Sequence, residues 1–153
     1  MSLAAEEADL LRRLTGEMRS LLDEPGSHPA VEGRLFPDAH EDAAEAQAYR
    51  DLVGEELRRD KIATLEALGT RLGPSAEVDI TLARDEAEGW LTALTDLRLA
   101  LGVRLDVTEE KMGAEIDVDD PRAAGMMALH WLGYLQESML AAMDPYARRS
   151  EVT

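Results

Sequence analysis

Three histidines, His28, His40 and His130, are the side chains best placed by type for proton transfer or metal binding near neutral pH. No two of them stand three or four residues apart, the spacing that sets two ligands on one helical face, which argues against a zinc hydrolase. His130 and Glu137 are seven residues apart, two turns along one helical face, and could share a metal with acids from another helix. The commoner outcome for such a pair is a partly buried histidine bonded to a carboxylate. The same two residues define the enzyme alternative, a metal-assisted or small-molecule-binding site built from carboxylates and His130.

Asp96, Arg98 and Arg104 interrupt or border a leucine-dense run, so part of each is expected to be drawn toward the core. Charge taken out of water needs a partner. Residues two apart on a helix point in different directions, so Asp96 and Arg98 should each pair with another helix, Arg50 or Arg34 being candidates for Asp96. The expected polar cluster is therefore Asp96, Arg98, Arg104, Arg50, His130 and Glu137, with a structural role as its default. The acids from Asp117 to Asp120 invite a calcium reading that fails on inspection. An EF-hand loop starting at Asp117 would need glycine where Arg122 stands and glutamate where Ala128 stands. There is no G-x-S-x-G elbow and no glycine-rich phosphate cradle. We expect no catalytic residue, no metal and no cofactor.

The elements that must position these groups are helical. Leucine, alanine and methionine dominate the apolar residues, and aromatics are only 4% of the chain. The expectation is an all-α fold, a bundle of four to five helices over 4–145, with two short strands near 77–82 and 103–107 and a loose tail at 146–153. Residues 1–3 read as vector-derived. A first helix over Ala5 to Asp23 buries Leu10, Leu11, Leu14, Met18, Leu21 and Leu22. Glu24 to about Asp38 reads as a loop, rich in proline and glycine, with Phe36 anchored on the core. A second helix starts near Glu41 or Asp42 with the stripe Tyr49, Leu52, Val53 and Leu57, followed by Ile62, Leu65, Leu68 and Leu72. The five-residue step from Leu57 to Ile62 implies a kink or break between Arg58 and Lys61.

Val78, Ile80 and Leu82 alternate with polar residues as a strand does, and Val103, Leu105 and Val107 repeat the pattern, so the two could pair. Between them a helix from about Arg84 to Leu101 buries Ala87, Trp90, Leu91, Leu94, Leu97 and Leu101, with Gly102 as its cap. Residues 106–120 read as a solvated acidic segment. Asp120-Pro121 then starts a final helix to about Met143. Apolar residues surround that helix, including Met127, Trp131, Tyr134, Met139 and Leu140, so it is either the central element or the seam of a homodimer through 122–143.

Thirty-two acids against sixteen bases give a net charge of −16, a field that repels phosphate backbones and anionic membranes. Direct nucleic-acid binding is disfavoured, and only Arg58-Arg59-Lys61 and Arg148-Arg149 approach a basic cluster. No apolar run is long enough for a membrane span, and no signal peptide is recognisable, so a cytoplasmic location is expected. The absence of cysteine excludes disulfides and thiol redox sensing by this chain.

Three stretches carry a family likeness: LFPDAHEDAAEAQAYR at Leu35 to Arg50, WLTALTDLRLALGVRL at Trp90 to Leu105, and HWLGYLQESML at His130 to Leu140. Together they resemble the actinobacterial AosR family, a former domain of unknown function described as an oxidative-stress transcriptional regulator. The likeness spans roughly Leu10 to Met143 and implies a further N-terminal stretch in other members. It implies a cytoplasmic regulatory protein that works by contact with the transcription machinery, with a protein partner rather than a substrate. Cysteine-based sensing attributed to the family has no counterpart here.

Overall fold

The computed structural model describes residues 1–36, 44–106 and 119–144, with the backbone alone for 44–51. The fold is mainly helical: five helices and one short two-stranded ribbon among the described residues. The chain divides into two units, Met1–Thr81 and Leu82–Thr153. Residues 37–43, 107–118 and 145–153 lie outside the described residues, and with them His40, Asp117, Arg148, Arg149 and the expected loose tail.

In the first unit, α1 spans Ala5–Asp23, as its periodicity requires, and buries Leu11, Leu14, Met18, Leu21 and Leu22. Ala4 offers no side-chain cap; instead Glu7 reaches back and accepts the Ala4 backbone N–H at 3.0 Å. The segment expected to be a loop contains a second helix, α2, Pro29–Leu35. Proline at its first position is already set to helical φ and gives up no hydrogen bond there, while Val31 and Leu35, one turn apart, bury on one side. Leu35 is thus the buried anchor of this segment. Phe36 is half-buried, with the Arg58 guanidinium 4.9 Å from its ring centre.

Helix α3 runs over Ala44–Leu72 with no break between Arg58 and Lys61, which corrects the expectation that one helix ends there. The five-residue step reflects two faces of one helix. Leu65, Leu68 and Leu72 bury against the α1 side of the unit, whereas Leu52, Val53 and Leu57 are exposed. Beyond α3, the Arg12 guanidinium closes the chain: it donates to the carbonyls of Leu72, Gly73 and Ala76, each at 2.8 Å, and to Asp9 at 2.6 Å. Gly73 and Ala76 both have positive φ, 72° and 74°. Ala76, which has no glycine-like freedom, is held there at a cost of about 1–2 kcal/mol that the Arg12 bonds offset.

This turn delivers β2, Val78–Asp79, to β1, Ser2–Leu3, in antiparallel register with Leu3 opposite Val78. The partner expected for the 77–82 strand was 103–107. The pairing goes instead to the N-terminus, where the Met1 ammonium also donates to Ile80 O at 2.7 Å and Leu3 is 4% exposed. Whatever their origin, residues 1–3 are packed into the fold.

In the second unit, α4 covers Arg84–Arg104 and α5 covers Ala123–Met143. Their leucines and alanines pack between them, with Leu94 and Leu132 fully buried. Gly102 lies inside α4 and does not end it. Asp106, at φ 52°, takes the left-handed role expected of that glycine, a role aspartate tolerates better than most residues. Val103 and Arg104 are helical and Leu105 caps the helix, so the second strand does not form on these residues; Val107 lies outside the described ones. Helix α5 begins two residues after Pro121, because Asp120 folds the preceding turn by accepting the Arg122 backbone N–H at 2.8 Å. Gly125 allows the start of α5 to approach Leu105: a Cβ there would lie 2.8 Å from Leu105 Cδ2.

Replacing Arg12 by alanine is expected to lower the unfolding free energy by about 1.5–3 kcal/mol, the worth of hydrogen bonds to a charged donor. Arg12→Lys should recover only part of this, because an ammonium cannot fork onto three carbonyls. Urea unfolding of both variants checks it.

Candidate functional site

The candidate site lies on the seam between α4 and α5, and it is built from four residues. Gln136 is 9% exposed, an amide buried among leucines on α5. Its Nε2 donates to Leu91 O at 3.1 Å and to Thr95 Oγ1 at 2.7 Å, while Thr95 Oγ1 donates to Leu91 O at 3.0 Å. Its Oε1 accepts from Arg98 Nη1 at 2.9 Å. Because a guanidinium only donates and a carbonyl only accepts, the amide can point just one way. The result is a chain of bonds from an α4 carbonyl, through an α5 amide, back to an α4 arginine.

Arg98 is half-buried, and its guanidinium lies against Gly133, where an added Cβ would be 3.5 Å from Cζ. Its Nε is buried and finds no hydrogen-bond partner among the described residues. Asp96 is half-buried and Arg104 exposed, both on α4. Sequence spacing leads us to expect Arg98 to pair with another helix, and its guanidinium meets Gln136 of α5. The spacing names no partner for Arg98, and the group met is the neutral Gln136. A glutamine within a run of leucines and methionines was the available signal, because a buried amide must be satisfied.

His130 and Glu137 do lie on one face of α5, but both are exposed, and among the described residues His130 makes no hydrogen bond to a carboxylate. The expected partly buried, carboxylate-bonded histidine is therefore corrected: the leucines Leu129, Leu132 and Leu135 claim the inward positions and turn His130 outward. Among the described residues no group of three histidines or acids is placed to hold a metal ion. Arg34 is exposed, and the side chain of Arg50 lies outside the described residues. Arg58, one of the three bases of the Arg58-Arg59-Lys61 cluster, is committed to structure: it donates to Leu22 O at 2.9 Å and pairs with Glu32 at 3.3 Å.

The outward side of α5 presents large apolar side chains beside the exposed His130, Glu137 and Ser138. Met127 is 57% exposed, Tyr134 66% and Leu140 56%, so the helix that looked apolar all round buries one side and presents the other. In its 21 residues α5 carries Glu137 as the sole acid and no lysine or arginine. At its approach, Asp120 is held below the usual carboxylate range, first by the Arg122 backbone N–H and then by the Arg122 side chain. The Arg122 fork also donates to Leu105 O at 3.0 Å, tying the turn to the end of α4. No helix among the described residues is long and apolar enough to cross a membrane.

These features define a mainly helical protein of paired helices whose candidate site is a polar crossing beside an exposed apolar face, with no assembled catalytic group among the described residues. The chain belongs to the family described as a domain of unknown function, DUF2017, whose model matches residues 1–143. It is 30% identical over 179 aligned positions to the oxidative stress regulator AosR of Mycobacterium tuberculosis (strain ATCC 25618 / H37Rv), an alignment covering 93% of this chain and 80% of that protein. The AosR of Mycobacterium bovis (strain ATCC BAA-935 / AF2122/97) gives the same identity and coverage. No solved structure matches the chain at a significant level.

Two outcomes are expected. Gln136→Ala strands Arg98 Nη1 and should cost about 1.5–3 kcal/mol in urea unfolding. Asp120, with a folded-state pKa below its unfolded one, contributes stability that is present above the ordinary carboxylate pKa and lost as pH falls through the folded value. The thermal midpoints of wild type and Asp120→Asn should therefore differ at neutral pH and draw together only as pH falls below the ordinary carboxylate range.

Proposed function

We propose that this chain is a cytoplasmic regulatory domain of the oxidative-stress response that acts through protein contacts and performs no chemistry of its own. One observation carries the reading: α5 exposes Met127, Tyr134 and Leu140 on a helix with one acid and no base, in a chain of net charge −16. Three large apolar side chains exposed on one helix, beside a single acid, in so charged a molecule are a surface for another protein. The name of the mycobacterial relatives, oxidative stress regulator, supports the biological setting.

In this reading the outward face of α5 joins a second copy, since like-charged surfaces repel least where charge is missing. The acidic remainder meets a basic partner, a component of the transcription machinery. With no cysteine, the chain does not read an oxidant through a thiol of its own. Contact with DNA is left to the partner, since this chain's charge opposes phosphate.

Sedimentation equilibrium should show a dimer for the wild-type chain and a monomer for Tyr134→Glu with unchanged helical circular dichroism. A wild-type chain that stays monomeric to its solubility limit refutes the self-association. Purified actinobacterial RNA polymerase should retain the chain at low salt and release it as salt rises. Failure to retain it at low salt counts against the partner, and a salt-sensitive gel shift with DNA alone would overturn the protein-contact reading.

A further inference from the structure

We propose that α5 pairs with α5 of a second copy in antiparallel orientation about a two-fold axis at Tyr134, with His130 of each copy set against Glu137 of the other. The inference rests on the self-association proposed above and adds its register. Met127, His130, Tyr134, Glu137 and Ala141 recur at steps of three, four, three and four residues, and all five are exposed. That is the repeat by which two helices meet along a seam. Here it runs on the side of α5 away from the buried Leu132, Leu135 and Met139.

A two-fold interface must be complementary to itself: if residue i meets residue j, then j meets i. Tyr134 adjoins the midpoint of Ala123–Met143, so an axis there lets the two helices overlap along almost their whole length, about 30 Å. His130 stands one turn before Tyr134 and Glu137 one turn after it. The axis therefore carries the imidazole of one copy to the carboxylate of the other, twice in each dimer. Met127 and Ala141 lie two turns out on either side, large against small, and the two Tyr134 rings meet at the centre. Within one copy His130 and Glu137 are two turns, about 10 Å, apart, so their side chains meet only between copies.

Charge selects the orientation. Glu137 is the one acid in α5, which has no lysine or arginine. Parallel pairing would set Glu137 against Glu137 and Asp144 against Asp144, with the two helix dipoles aligned. Antiparallel pairing sets Glu137 against a side chain that donates a hydrogen bond and takes up positive charge. It also brings Asp144 beside the first turn of α5 in the second copy, the positive end of that helix dipole. A polar pair within an otherwise weakly charged seam fixes register, as lone polar residues do between paired helices.

The test uses the full chain, whose lack of cysteine makes any introduced thiol unique. Ala142→Cys, at an exposed position near the end of α5, carries a nitroxide label, and pulsed electron paramagnetic resonance reads the distance between labels in the dimer. Antiparallel pairing about Tyr134 separates them by about 25 Å along the helix axis, whereas a parallel pair holds them side by side at about 10 Å. In sedimentation equilibrium, His130→Glu and Glu137→Lys should each raise the dimer dissociation constant about three- to tenfold. The double variant should restore the wild-type value or tighten it, because the exchanged charges again meet across the axis. Parallel pairing allows no such rescue, since like would then face like. Labels side by side, or a double variant no tighter than either single one, overturn the register while self-association stands. A wild-type chain that stays monomeric refutes the self-association and this register together, and leaves the α5 side to a different protein.

Discussion

The end of every helix leaves carbonyl groups without donors, and in this acidic chain arginines from elsewhere in the fold supply several of them. Arg12 of α1 closes α3 through Leu72 O and Gly73 O, Arg58 of α3 reaches Leu22 O in the last turn of α1, and Arg122 reaches Leu105 O at the end of α4. Arg71 extends the pattern to Thr81 O beyond β2. Cations suit these positions twice over, as donors and as partners for the negative end of the helix dipole. With sixteen bases in all, the commitment of arginines to carbonyls leaves fewer for the surface, which stays strongly negative.

The same economy explains the ribbon and the left-handed turn before it. Arg12 holds Ala76 O, which stabilises an alanine at φ 74°, and the strand that follows lands on Ser2–Leu3. Leu3 and Val78 then share the edge of the core as neighbours in register. In the second unit, the corresponding closure is made by Asp106 and Arg122, with Gly125 opening room for Leu105. Arg98 stands apart from this scheme. It crosses from α4 to α5 and finds an amide, and that contrast gives the seam its interest as a site.

For a regulatory protein the division of surfaces is coherent. Apolar burial between paired helices is satisfied by leucine and alanine, so Met127, Tyr134 and Leu140 are surplus to the core of their own unit. Large exposed side chains of this kind, free of charge and gathered on one helix, are the usual raw material of an interface centre, where tyrosine and methionine are enriched. The polar crossing beneath them fixes the helix that presents them.

Much of the architecture was legible from periodicity alone. The bounds of α1, the existence of α4 and α5, the strand at Val78 and the mainly helical class follow from where leucines recur, because local spacing decides which residues one helix can bury together. The site was legible in part: a charge at position 98 amid leucines announces a crossing. Tertiary structure alone decided the rest. It decided that α3 is one continuous helix whose Leu52, Val53 and Leu57 stay outside, since a stripe is a core only where another element covers it. It decided that Pro29 opens a helix, that β2 pairs with the N-terminus, and that His130 faces solvent. It also decided that Arg98 meets Gln136 and, among the described residues, no acid. Partner choice between distant residues depends on which surfaces meet in space, and spacing along the chain carries no record of that.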